Sequence, residues 1–382
     1  MIKRGEKILN LVFVSNILNH HQIALCKAFQ KKMESFIFIA TDDTAGIGYQ
    51  RSQEENYVLH YYNKHEREKC LDYILNADIV IFGSCPDELI QVRMKDNKLS
   101  FLYTERFFKK GVWRRFIPRT RKKIMNRIGC YKDKNMYVLC ASAYVAYDLS
   151  LIGYPLEKCF KWGYFPETKK YEDISKILDT KISSSILWVG RFLNWKHPEI
   201  PILIAKELKK DGYNFHLNII GSGELENKLQ QMIKKYYLQD CVFLKGAMNP
   251  KKVRTYMENS EILLFTSDQY EGWGAVLNEA MNSACGVIAS NAVGSAPFLI
   301  DNGKSGLIYT NGKFDDLLDK VKFLLDHPND CHLYGNQAYQ AITNQWNAEI
   351  AAERFYFLGL ELLRNKTQVN NIYKNGPCSL AK

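Results

Sequence analysis

Two carboxylates, Glu271 and Glu279, flank a pair of glycines in the run Glu271-Gly-Trp-Gly-Ala-Val-Leu-Asn-Glu279. The apolar residues 262–266 ahead of them have the length and composition of a buried strand, and residues 275–281 behind them fit a helix. Gly272, Trp273 and Gly274 therefore fall on a strand-to-helix turn. With no side chain at Gly272 or Gly274, the backbone N–H groups of Gly274, Ala275 and Val276 are left to face an anion at the positive end of the helix. A phosphate suits that position. The carboxylates, about 10 Å apart if most of the interval is helical, would repel a diphosphate at close range. They suit hydroxyl groups at the two ends of a nucleoside diphosphate-sugar better. The same spacing also fits an ordinary helix start, with one glutamate in the turn and the other facing solvent.

Two more strand ends carry similar chemistry. Residues 185–189 close on Gly190-Arg191, with Lys196 five residues on and a helix from about Pro198. Residues 215–220 close on Gly221-Ser-Gly223-Glu224 and open another helix. Three successive strands thus end in loops suited to phosphate or nucleotide, and in an open parallel sheet ligands bind at the carboxyl ends of the strands. Taken singly, Arg191 and Lys196 fit solvated surface cations better than ligands, and Gly221-Ser-Gly223, without the third glycine of the dinucleotide fingerprint, fits a plain tight turn.

In this order and spacing, residues 186–309 resemble the retaining glycosyltransferases of family 4. The resemblance rests on Gly190-Arg191 with Lys196, on Gly221-Ser-Gly223-Glu224, on Glu271 and Glu279 with Gly272 and Gly274, and on Gly294-x2-Pro297 followed by Gly303 and Gly306. It implies the GT-B fold, an α/β architecture of two Rossmann-like doubly wound domains facing across a cleft. It also implies that Arg191 and Lys196 grip the donor diphosphate, Glu271 the donor sugar hydroxyls and Glu279 the ribose. Gly190, Gly221, Gly223, Glu224, Gly272, Trp273, Gly274, Ala275 and Val276 belong to the same substrate-binding set. The reaction implied is transfer of a hexose-type sugar with retention, by a front-face route in which the leaving diphosphate takes the acceptor's proton. Such enzymes lack the metal-binding Asp-x-Asp of the other large glycosyltransferase fold, and the chain contains no Asp-x-Asp; no metal and no cofactor are expected.

The chain departs from the family pattern in four places. Phe298 stands where a glutamate often follows the proline, and His197 where glycine usually follows the lysine. Asn19-His20-His21-Gln22 replaces a Gly-Gly turn after the first strand, and Thr104-Glu105-Arg106 replaces a histidine after the fourth.

The N-terminal half alternates strands (8–15, 36–41, 78–83, 99–104, 136–141) with helical stretches (22–33, 66–76, 86–95, 113–128), which implies a parallel sheet wound on both faces. The expected domains are 1–165, joined by a final helix at about 346–365, and 185–345, with a linker over 166–184; the last residues read as disordered. The first domain should supply the acceptor site. His20 and His21, at the start of a helix, are placed to hydrogen-bond the diphosphate or the acceptor, though packed or surface histidines fit as well. Glu105 is assigned to orient the acceptor and Arg106 to meet phosphate charge. Lys161, Trp162 and Tyr164 suit either the cleft lining or hinge packing.

At 382 residues, 46% hydrophobic and 24% charged, the chain can bury two ordinary cores. No apolar run approaches the roughly 20 residues that span a bilayer. Lys3 and Arg4 precede an apolar run, but Asn10 interrupts it and no small-x-small site follows, so a first strand is expected rather than a secretion signal. Ten cysteines are scattered without zinc-like spacing, and Cys140, Cys241 and Cys285 fall in apolar runs as core residues. That pattern suits a reducing compartment, the cytoplasm.

The formal charge of +11 is concentrated. Between Glu105 and Lys134 twelve cations face only Glu105 and Asp133, a net of +10, interleaved with apolar residues such as Trp113, Phe116 and Ile124. Such a segment suits a basic amphipathic helix lying on an anionic membrane, or a solvated basic face whose aromatics pack inward. Nucleic acid ranks last, because no helix-turn-helix, RNA-recognition or zinc pattern accompanies the charge. A lipid-linked saccharide growing on the inner face of a membrane then becomes the expected acceptor, in capsule, exopolysaccharide or lipopolysaccharide assembly. A GT-B phosphorylase, or a non-catalytic sugar-nucleotide or membrane-binding module, would be built from the same parts. Sugar, base, acceptor and linkage stay open at this level.

Overall fold

The computed structural model describes residues 9–43, 55–364 and 373–381. The chain divides into two units, Met1–Glu167 with Trp346–Lys382, and Thr168–Gln345.

In the first unit the elements run β1 (Asn10–Ser15), α1 (His20–Lys32), β2 (Ser35–Ala40), β3 (Val58–His60), α2 (Arg67–Asn76), β4 (Ile79–Phe82), α3 (Asp87–Lys95), β5 (Ser100–Thr104), α4 (Pro118–Arg127), β6 (Met136–Cys140), α5 (Val145–Ser150) and β7 (Cys159–Lys161). The strands pair in parallel in the order β3-β2-β1-β4-β5-β6-β7. The first strand was expected from Ile8, which, with Lys3 and Arg4, lies outside the described residues. Strands β3 and β7, three residues each, are too short to show a period in sequence. The helix expected over 113–128 is two pieces, a 3-10 turn at Val112–Phe116 and then α4. Pro118 has no N–H to extend a helix and its fixed φ suits a first helical position.

The second unit runs α6 (Ile174–Asp179), β8 (Ile182–Val189), α7 (Glu199–Lys210), β9 (His216–Ile220), α8 (Glu226–Lys235), β10 (Val242–Leu244), α9 (Pro250–Asn259), β11 (Ser260–Phe265), α10 (Ala275–Asn282), β12 (Gly286–Ser290), α11 (Ala296–Leu299), β13 (Leu307–Tyr309), α12 (Phe314–Asp326) and α13 (Pro328–Asn344). Its sheet is parallel in the order β10-β9-β8-β11-β12-β13. From Thr168 on, the stretch read as a linker is part of this unit. It carries α6, capped by Asp173; the Lys169 N–H donates to Asn282 Oδ1 at 2.8 Å, and the Lys181 ammonium reaches the carbonyls of Ser260 (2.8 Å) and Ser283 (3.0 Å).

Helix α14 (Ala348–Arg364) returns to the first unit and packs on α1, with Phe355 fully buried among Phe29, Phe101 and Trp162. Trp162 is thus a core residue. The C-terminal tail corrects the expectation of disorder where it is described: residues 373–381 run back along β7, with Lys161 N–H to Ser379 O at 2.7 Å and Cys378 N–H to Lys161 O at 2.8 Å. Strand β7 ends the sheet order and leaves an unpaired edge, which this short apolar segment covers.

In the second unit the chain lays β8, then β9 and β10 to one side, then β11, β12 and β13 to the other. The order reverses between β8 and β11, so the loops that follow those two strands leave the sheet side by side, at the switch point where open α/β sheets bind ligands.

Candidate functional site

Thr266, one residue past β11, joins the two loops. Its hydroxyl accepts from the buried Trp188 Nε1–H at 2.9 Å and donates to the Lys196 carbonyl at 2.8 Å. The Asp268 N–H donates to Trp195 O at 2.9 Å. On this frame the Lys196 ammonium pairs with Glu271 Oε2, which also accepts from Ser267 Oγ at 3.2 Å; the paired side chains are only 13% and 15% exposed. Lys196 and Glu271 were expected to serve separate parts of a donor, and the structure ties them together. No role was expected for Thr266, read as the last residue of the strand, or for Ser267 after it; two hydroxyls closing an apolar run are their one signal. Arg191 is exposed on the same loop.

Gly274 precedes α10 at φ +83°, and a Cβ there would fall 2.3 Å from the Phe265 ring. The N-cap residue is Gly274, so no cap side chain closes the start of α10, and its first-turn N–H groups are left to other acceptors. The other glycines answer a different need. A Cβ at Gly221 would sit 1.8 Å from the Gly190 carbonyl oxygen, and one at Gly223 2.8 Å from that of Phe192. The loop after β8 crosses directly over them, and Phe192 N–H donates to Ser222 O at 2.8 Å. Glycine is required there by the protein's own backbone, whatever binds. Glu224 is exposed beside Asn194. Trp273 was expected to touch substrate, but its ring is fully buried and its indole N–H donates to Asn278 Oδ1 at 2.8 Å, so it packs under the turn instead. Phe298, at the place of the family glutamate, packs beside it with ring centroids 6.3 Å apart.

Glu279 lies in the second turn of α10, half-buried. Burial pushes its carboxyl above the usual range, with the Arg254 charge opposing. Arg254 itself donates to the Glu279 carbonyl at 3.1 Å and to Asn282 Oδ1 at 3.0 Å.

In the first unit, Asn19-x-x-Gln22 is a capping box: Asn19 Oδ1 accepts from His21 N–H at 3.1 Å, and Asn19 N–H donates to Gln22 Oε1 at 3.2 Å. This is why polar residues replace a glycine pair at that turn. His20 is exposed against the His21 ring, centroids 3.7 Å apart. His21 stacks on Tyr164, and burial, then the His20 charge, lowers its pKa to about 3, so it is neutral at ordinary pH. Its Nδ1 is buried and has no hydrogen-bond partner among the described residues. The Tyr164 hydroxyl donates to Glu105 Oε1 at 2.7 Å and Lys109 Nζ holds the other oxygen at 2.5 Å. His21, Tyr164, Glu105 and Lys109 therefore form one chain past the ends of β1 and β5. Arg106 does not join it. Its guanidinium turns inward to the fully buried Asp148 at 3.2 Å and over the Tyr144 ring, so the phosphate role expected for Arg106 is withdrawn.

The basic segment is likewise divided. Arg106, Lys109, Arg127 and Lys134 are tied to Asp148, Glu105, Asp87 and the Met94 carbonyl, while Ile124, Ile128 and Phe108 are buried. Val112, Trp113 and Phe116 are exposed (37%, 59% and 73%) beside the exposed Arg119, Arg121, Lys122 and Lys123. Among the described residues no helix is long and apolar enough to cross a membrane.

Comparison with known proteins bears on the second unit most directly. Residues 171–341 match the family model described as glycosyl transferases group 1. The chain is 29% identical over 169 residues to a poly(ribitol-phosphate) alpha-N-acetylglucosaminyltransferase of Staphylococcus aureus, covering 44% of this chain and 33% of that protein. It is 30% identical over 200 residues to an N-acetylgalactosamine-N,N'-diacetylbacillosaminyl-diphospho-undecaprenol 4-alpha-N-acetylgalactosaminyltransferase of Campylobacter jejuni, covering 52% and 48%. The matched segment thus spans a third to a half of these relatives. In fold, the crystal structure of Anabaena HepE with UDP covers 91% of this chain and 98% of its own at TM-score 0.69 and 13% identity, and that of S. aureus TarM covers 76% and 57% at TM-score 0.59 and 20% identity. Residues 171–341 are accordingly a glycosyl transferases group 1 domain, in a chain with the two-sheet α/β fold of the GT-B glycosyltransferases.

Proposed function

We propose that this chain is a retaining, metal-independent glycosyltransferase that moves a sugar from a nucleoside diphosphate donor to a saccharide or lipid-linked saccharide in building a cell-surface polysaccharide. One observation carries the reading: Lys196, Glu271 and the uncapped start of α10 meet at the β8–β11 switch point. The diphosphate lies against the first-turn amides of α10, with Arg191 and Lys196 supplying positive charge as the leaving group develops. A bare carboxylate would repel that diphosphate. Paired through Oε2 to Lys196, Glu271 is neutralised on the phosphate side and keeps Oε1 for a sugar hydroxyl, while the ammonium retains N–H donors for phosphate oxygens. Glu279, further along α10, takes the ribose.

In the first unit, Glu105, set by Tyr164 and Lys109, orients the acceptor, and neutral His21, with His20 beside it, contributes a hydrogen bond. The relatives' named substrates, poly(ribitol-phosphate) and a diphospho-undecaprenol saccharide, favour a surface-polymer acceptor presented at the inner face of a membrane.

A thermal-shift screen against UDP-, GDP-, ADP- and dTDP-sugars tests the donor site, since a donor at a hundredfold its Kd adds roughly 2.7 kcal/mol of stability. Glu271→Ala should keep the nucleotide-induced shift and lose transfer; Glu279→Ala should chiefly weaken donor binding. Full transfer by Glu271→Ala would overturn the assignment.

A further inference from the structure

His197, where the family pattern has glycine, sits in the left-handed region at φ +51°, ψ +53°. Histidine is among the few side chains that tolerate this conformation, but tolerance does not explain what the ring does. Its Nδ1 lies 3.1 Å from Glu199 Oε1, in the first turn of α7, and its Nε2 lies 3.3 Å from Asp268 Oδ2, in the loop after β11. Carboxylates only accept, and a neutral imidazole carries one N–H, so both contacts are hydrogen bonds only in the imidazolium. On losing its proton the ring must set a lone pair against one carboxylate.

The chain neighbours make this bridge matter. Lys196 precedes His197, and the Glu271 N–H donates to Asp268 O at 3.1 Å, so the ring spans the two loops that bring Lys196 and Glu271 together. We propose that protonated His197 is a positioning residue, a latch that holds Lys196 and Glu271 in place for the donor diphosphate and slackens as pH rises. The inference rests on the reading of these loops as the donor site. The charged groups around the ring are Glu199, Asp268, Lys196 and Glu271, with Lys228 of α8 acting on Glu199. The Glu199 hydrogen bond, against the effect of burial, holds His197 above the ordinary histidine range, and Asp268 adds to it. Burial pushes Glu199 up, yet the His197 hydrogen bond and charge carry it below the usual carboxylate range. Glu199 Oε2 is buried and has no hydrogen-bond partner among the described residues, so this carboxylate depends on the ring through its other oxygen.

His197→Gly keeps the left-handed backbone at no steric cost and removes the bridge; His197→Asn keeps a side chain that tolerates the conformation but never charges. Melting temperature and nucleoside diphosphate Kd, taken with whichever of UDP, GDP, ADP or dTDP stabilises the wild type most, are compared from about pH 5.5 to 8.5. Because the folded pKa is raised, the wild-type advantage in melting temperature is full below about 6.5, the unfolded value, and is lost as pH rises through the folded value. The ratio of variant to wild-type Kd should fall by about fivefold over the same window. Variants that follow the wild type at every pH, in melting and in Kd, overturn the latch. If no nucleotide binds the wild type, the donor reading fails by itself, and the melting comparison still decides whether the bridge exists.

Discussion

Arg106 shows how one side chain can look functional in sequence and prove structural in three dimensions. A cation after a strand end suits a phosphate, but here it neutralises Asp148, whose carboxyl is raised by burial even though the Phe108 N–H and Arg106 stabilise its charge. Removing one partner of a buried pair strands the other, at about 3–5 kcal/mol. Arg106→Ala should therefore lower the melting temperature of the first unit. The deficit should grow with pH: a raised carboxyl pKa leaves stability intact below the unfolded value of about 3.9 and removes it as pH rises through the folded one. Scanning calorimetry at acidic and neutral pH checks the sign, and an equal deficit at both would mean that Asp148 charge is not the cause. His21 is the reverse case. A doubled histidine at a helix start is ambiguous in sequence, and only burial against Tyr164 makes it neutral.

Elements carry the next level. Strand β8 and strand β9 end in glycines because their loops cross, with Gly221 beneath the Gly190 carbonyl and Gly223 beneath Phe192. Gly221→Ala drives a methyl into a backbone oxygen at φ +149° and should displace the Arg191–Lys196 loop. The expected outcome is a lower melting temperature together with weaker nucleotide binding, read in one thermal-shift titration. Normal stability with lost binding would instead make Gly221 a ligand contact. The sequence flagged this turn by composition and left it between a phosphate or nucleotide loop and a plain tight turn, since crossing loops are a long-range fact. The helix expected over 113–128 failed for a local reason, Pro118, and the break leaves Val112, Trp113 and Phe116 on an exposed turn instead of along a helix face.

For the molecule as a whole, charge and exposed aromatics coincide at that turn, next to α4. Four of the twelve cations are held by the protein itself, which leaves eight, and each contributes about 1 kcal/mol near an anionic surface. We expect the chain to co-sediment with vesicles containing anionic lipid at low salt, with binding falling as salt screens the charge. Replacing Trp113 and Phe116 by Ser should weaken it without lowering the melting temperature, as both rings are exposed. Equal binding to neutral vesicles would remove the electrostatic account.

The sequence by itself determined the alternation of strands and helices, the three strand ends that carry Arg191, Lys196, Gly221 and Glu271, and the concentration of charge in 105–134. Each of these is written in local pattern, where period, composition and spacing act over a few residues. Tertiary structure alone decided which strands are neighbours, and with that the pairing of Lys196 with Glu271, the bridge from His197 to Glu199 and Asp268, the burial of Trp273 and the inward turn of Arg106. The pairs Arg106–Asp148, His197–Asp268 and Lys196–Glu271 join residues 42, 71 and 75 positions apart, and only the order in which each sheet is laid down brings such distant side chains together.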